Sequence, residues 1–109
     1  MKIVNAEHTA VFTNPHGVDA RKIHDTKHAQ VILITLKPGE SLKKHVTPVD
    51  VFFFVLEGRG VVEIGDESAE VESGCLVESP ARIPHLWRND GGNLFKVLVV
   101  KTPHPRKTE

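Results

Sequence analysis

His45 and His85 are the residues of this chain whose type and setting invite chemistry. Each stands near a proline-marked bend, in His45-Val46-Thr47-Pro48 and in Ile83-Pro84-His85, and each adjoins a strongly apolar run. A neutral imidazole ligates divalent transition metals, and it exchanges protons near neutral pH. Asp50 lies just beyond His45 and offers a carboxylate. Two histidines and one carboxylate form the donor set of non-haem iron oxygenases. In a regular strand, however, Asp50 faces opposite to Val51, so only a bulge at Pro48 turns it inward. Without the bulge it is a turn residue or an outward partner for a lysine. His8, His16, His24, His28 and His104 lie in polar, turn-rich sequence and read as surface histidines. Cys75 reads as a small buried thiol, because no base sits near it in a nucleophile pattern.

The elements that must position the two histidines are short strands. Val31–Leu36 is rich in β-branched residues and runs into Pro38-Gly39. Val49–Leu56 is the most apolar stretch and stops at Gly58 and Gly60. Val61–Ile64, Ala69–Glu72, Leu76–Glu78, Ile83–Arg88 and Leu94–Lys101 follow, separated by Gly65-Asp66, Ser73-Gly74, Pro80 and Asn89-Asp90-Gly91-Gly92. Before residue 29 the chain is mixed and polar, with short strands expected around Lys2–Val4, Thr9–Phe12 and Arg21–His24. No useful window shows helical periodicity. Short strands closely punctuated by glycine and proline predict an all-β sandwich or barrel. If His45 points inward, alternation sends Thr47, Val51, Phe53 and Val55 the same way. Ile83, His85, Trp87 and Asn89 share a face on the second strand. The expected pocket is therefore mostly apolar, lined by Thr47, Val51, Phe53, Trp87 and Asn89 around the histidines, as small-molecule sites usually are.

Two stretches carry a family resemblance. In the first, Gly39, His45, Gly58 and Gly60 stand at their motif positions; in the second, Gly74, Pro80, His85 and Asn89 do. In that order they resemble the paired motifs of the cupins, small jelly-roll barrels built as a double-stranded β-helix. The resemblance covers residues 29–101. It implies an arm over residues 1–28 that packs on the barrel or a partner subunit, the barrel itself over 29–101, and a loose tail over 102–109. The family's metal centre usually takes three histidines and one glutamate. Here the second histidine of the first motif is Thr47, its glutamate is Val51, and a glycine of the second motif is Arg82. Of the usual ligands only His45 and His85 remain, with Asp50 as a candidate third. A manganese, iron, nickel or zinc ion held there would be held weakly.

Bulk properties bound the function. A chain of 109 residues forms one domain. Lysine plus arginine and aspartate plus glutamate balance at 14 each, so no basic excess points to nucleic acid. No apolar run approaches the roughly 20 residues that span a bilayer, and the first residues lack the apolar core of a secretory signal. A lone cysteine fits a reduced, cytoplasmic setting. Lys43-Lys44 reads as a solvated edge, and Arg82 as an exterior residue. The doubly apolar runs at 31–36, 51–56 and 97–100 need both faces covered, which predicts a homodimer. The expected protein is a small barrel with a pocket around His45 and His85. The alternative is a metal-dependent dioxygenase or isomerase acting on a small organic substrate.

Overall fold

A computed structural model describes residues 1–108, with only the backbone described at 107 and 108; Glu109 lies outside the described residues. Nine strands form two antiparallel sheets. They are β1 (Asp19–Asp25), β2 (Gln30–Leu36), β3 (Ser41–His45), β4 (Val51–Glu57), β5 (Arg59–Ile64), β6 (Glu67–Glu72), β7 (Leu76–Ser79), β8 (His85–Arg88) and β9 (Phe95–Lys101). One sheet runs β1-β2-β9-β4-β7 and the other β3-β8-β5-β6. The double-stranded β-helix expected from the motifs is the fold observed.

Alternation along the strands decides what faces inward. On β2, Gln30, Ile32, Ile34 and Leu36 are buried and the residues between them are half-buried. On β9, Phe95, Val97 and Val99 are buried with Lys96, Leu98 and Val100 outside them. The same rhythm runs through Thr47, Val49, Val51, Phe53 and Val55 without a shift at Pro48. The bulge instead falls in β3, between Leu42 and His45. There Lys43 and Lys44 are both exposed, as expected of a solvated edge, which resets the parity so that Leu42 and His45 face the same way.

The interior narrows to one packed end. Trp87, Phe95, Leu36, Val55 and Val97 are almost wholly buried there. Gly60 makes this packing feasible, since a Cβ at that position would strike the Phe95 ring and stand 2.8 Å from the Arg88 carbonyl. Gly58 has a positive φ and passes against the Leu94 carbonyl. The family's closing glycines thus have a steric reason here.

The two ends of the chain depart in part from expectation. Residues 2–4 and 9–12 form no strands; Ala6–His8 is a short 3-10 turn capped by Asn5. The Arg21–His24 expectation holds as part of β1, which pairs with β2, so the sheet begins before residue 29. The tail is docked as far as Arg106. His104 is buried, and its Nε2 lies 2.6 Å from Asp25 Oδ1, which hold each other as a charge-assisted pair when the ring is protonated. That pairing holds the Asp25 carboxyl below its usual range.

Candidate functional site

The bulge in β3 and the register of the β3–β8 pair place His45 directly opposite His85. Forty positions apart in sequence, their Nε2 atoms lie 3.1 Å apart. With both rings neutral, the hydrogen-bond network assigns the tautomers. The Lys43 carbonyl can only accept, so His45 Nδ1 carries a proton towards it at 2.9 Å and Nε2 is bare. His85 Nε2–H then donates to His45 Nε2. His85 Nδ1 accepts from the Ser79 hydroxyl at 3.0 Å. The result is a relay: Ser79 to His85 to His45 to a backbone carbonyl. His85 is almost wholly buried, and its pKa falls to about 4, first through desolvation and then through His45, Lys101 and His16. At neutral pH it is an uncharged imidazole.

A third histidine joins the pair. The Asn14-Pro15-His16-Gly17 turn folds back over the mouth because Phe12 N–H bonds to the Ala20 carbonyl and Asn14 grips its own loop. Asn14 Nδ2 donates to the carbonyls of Phe12 and Val18, while its Oδ1 accepts from His16 N–H at 3.1 Å. His16 Nδ1 in turn accepts the Lys43 N–H at 3.0 Å, leaving its Nε2–H as a donor. The rings continue inward as a column. Centroid separations are 5.1 Å for His16–His45, 4.4 Å for His45–His85, 5.3 Å for His85–Phe53, 4.8 Å for Phe53–Trp87 and 5.8 Å for Trp87–Phe95.

Beside the outer half of this column lies a cavity of about 220 Å³. Its polar lining comes from Asn14, His16, His45, His85 and Lys101; its walls are apolar, Phe53 and Val99 among them. Of the residues expected to line it, His45, His85 and Phe53 do so. Thr47, Val51, Trp87 and Asn89 are buried as the alternation requires but do not line this cavity, and Ile83, expected on the face of His85, is exposed because the strand begins only at His85. Asn89 holds the Asn89–Asn93 turn: its Nδ2 donates to the Leu36 and Asn93 carbonyls, and its Oδ1 accepts from Gly91 N–H. Asp50 is not brought to the histidines. It is exposed, and its Oδ1 accepts the Ala81 N–H at 2.8 Å, tying the Pro48 bend to the Pro80 loop. Arg82 is exposed as expected and sits at φ 68, the left-handed conformation that a glycine takes without strain.

Three residues escaped the sequence reading. Ser79 and Lys101 are inward positions at the ends of β7 and β9, and alternation from Val99 would have found Lys101. His16 had no such signal, because only the fold brings its turn to β3.

The fold and this cavity define a small jelly-roll barrel with a histidine-lined pocket at one end. The cupin domain model matches residues 32–101, and the chain belongs to that family. It is similar to an uncharacterised protein of Methanocaldococcus jannaschii, MJ0764, at 30% identity over 79% of this chain and 75% of the relative. The crystal structure of that relative superposes with a TM-score of 0.83 at 25% identity, covering 98% of this chain and 94% of the other. TT1209 from Thermus thermophilus superposes with a TM-score of 0.83 at 31% identity, covering 96% of this chain and 100% of the other.

The family's metal ligands can be tested against these residues. Two nitrogens bound to one ion at about 2.0–2.1 Å stand roughly 3.0–3.4 Å apart, and the two Nε2 atoms meet that spacing. The Lys43 carbonyl orients His45 as an outer-shell partner would. The spacing alone suits two corners of a coordination sphere; His85 Nε2 carries the proton it shares with His45 and would have to give up that hydrogen bond to face an ion. No acidic residue lines the cavity, and no group of three or more histidine, cysteine, aspartate or glutamate side chains is arranged to hold a metal among the described residues.

Proposed function

We propose that this barrel binds a small organic molecule in the cavity beside His45 and His85, with the Ser79–His85–His45 relay as its polar centre. The observation that carries this is the convergence of three imidazoles on a mostly apolar hollow. Apolar walls with a few placed polar groups are the usual make-up of a ligand site. The hydrogen-bonded chain holds both rings in fixed orientations at the edge of the cavity. His45 and His85 would also hold a borderline divalent ion such as zinc or nickel, weakly, with neutral donors only. Such an ion would polarise a ligand oxygen as a Lewis acid. This chain's own residues orient the ligand and exclude water from its apolar side.

The test is nuclear magnetic resonance titration with a library of small aromatic and branched aliphatic compounds, on chelator-treated protein and again with zinc. Ligands should shift the ring signals of His16, His45 and His85 in the metal-free protein, and zinc should be displaced by mild chelators. A pocket that answers no compound in either state refutes the reading.

The proposal includes a homodimer. The outer face of the five-stranded sheet carries two apolar rows across paired strands: Val31, Val100 and Phe52, then Leu33, Leu98, Phe54 and Leu76. Burying this face against a second copy would cover it within a stable interface of roughly 1,600 Å². Light scattering at micromolar concentration should give twice the chain mass, and Phe54→Lys should give a monomer.

A further inference from the structure

We propose that the cavity selects small organic anions, with Lys101 as the cationic anchor and a compact apolar body against Phe53 and Val99; this rests on the cavity being a ligand site. The inward phase of β9 runs Phe95, Val97, Val99, Lys101, so the last inward position of an apolar strand delivers an amine to the cavity. None of the lining residues is acidic, and no ion pair reaches Lys101 among the described residues. The nearby Asp25 is already engaged by His104, Lys22 and Arg106. The side chain is half-buried at the cavity wall, and its pKa is lowered by desolvation first and by Lys22 second. A half-buried cation without a counter-charge is costly, and a bound anion relieves that cost.

The polarity is local. The chain as a whole has no net charge, with basic and acidic residues balanced at 14 each. The cavity still concentrates one ammonium, the free Nε2–H donor of His16 and the His45–His85 pair. Donors outnumber acceptors, which suits a carboxylate or an enolate better than a neutral polar group. Size narrows the class further. At about 220 Å³ the cavity is smaller than the roughly 300–1,000 Å³ of sites for drug-sized ligands. A short branched or aromatic monocarboxylate fits this description.

The probes are benzoate and its neutral counterpart benzamide, followed by calorimetry and by the ring signals of His45 and His85. Benzoate should bind at least about tenfold more tightly than benzamide, as one charge-assisted contact implies. Lys101→Met should erase that preference by weakening benzoate alone, with Lys101→Gln as a second variant and the amide spectrum confirming that each variant is folded. Equal binding of the two probes to the original protein overturns the anion inference and leaves the ligand site standing. So does a preference that survives both substitutions. If neither probe moves the histidine signals, the ligand site falls together with the inference built on it.

Discussion

At one end of the barrel Trp87, Phe95, Leu36 and Val55 fill the space between the sheets and shut out solvent. At the other end, one or two inward positions along the same strands, His85, Val99, Ile34 and Phe53 border a cavity. Strands β8, β9, β2 and β4 supply both ends, and every one of these side chains faces inward. Size and polarity at successive inward positions make the difference. The filled end interlocks rings so closely that Gly60 has no room for a methyl group. Along β8 and β9 the open end exchanges Trp87 for His85 and Phe95 for Val99, smaller side chains of which one needs hydrogen bonds. Packing at the first end fixes the sheets, and the second end can then stay hollow without collapsing.

The largest test of this contrast lies at the filled end. Trp87→Ala removes a fully enclosed indole and should cost about 3–5 kcal/mol in urea unfolding. A loss below about 1 kcal/mol would mean that the filled end relaxes freely and is not the support of the open one.

An intermediate effect belongs to the boundary, where His85 sits. Its folded pKa of about 4 lies below the ordinary value of 6.5, so the unfolded chain takes up the proton first as pH falls. The stability contributed by keeping the ring neutral is whole above about pH 6.5. It is lost progressively down to about pH 4, by on the order of 2–3 kcal/mol. Urea midpoints measured between pH 7 and pH 5 should fall in the original protein. The fall should be shallower in His85→Gln, which has nothing to titrate there. Parallel curves would place the titrating group elsewhere.

The smallest effect concerns a single buried hydroxyl. Thr47 is buried, and its Oγ1 has no hydrogen-bond partner among the described residues. Thr47→Val keeps the shape and removes the stranded hydroxyl, so it should be neutral or stabilise by up to about 1 kcal/mol. A clear loss of stability would show that a water enters from the open end and bonds the hydroxyl.

The fold was legible because each turn carries its own glycine or proline and each strand its own alternation. The paired motifs then ordered the strands. His45 and His85 were legible for the same reason, being fixed by motif offsets that the β3–β8 register converts into a contact. The third ligand offered by Asp50 failed on parity, as Asp50 faces out and bonds Ala81 instead. The remaining lining was overextended, because an inward position on a strand says nothing about which end of the barrel it reaches. Trp87 and Asn89 point inward into filled space. His16 was hidden for the opposite reason. Its surroundings look like a surface turn, and what carries it to the mouth is a local bond from Phe12 to Ala20 and a long-range one from Lys43 to the His16 ring.

The column of rings gives the molecule an optical property as well as a mechanical one. The chain contains one tryptophan and no tyrosine. Its near-ultraviolet absorption and emission therefore arise almost entirely from a single indole, which is sealed from solvent and packed at a tilt against Phe53. Phe53 lines the cavity on its other side. The emission should lie at the blue end of the tryptophan range. Occupancy of the hollow, relayed through one phenyl ring, becomes visible as a change in intensity without any added dye.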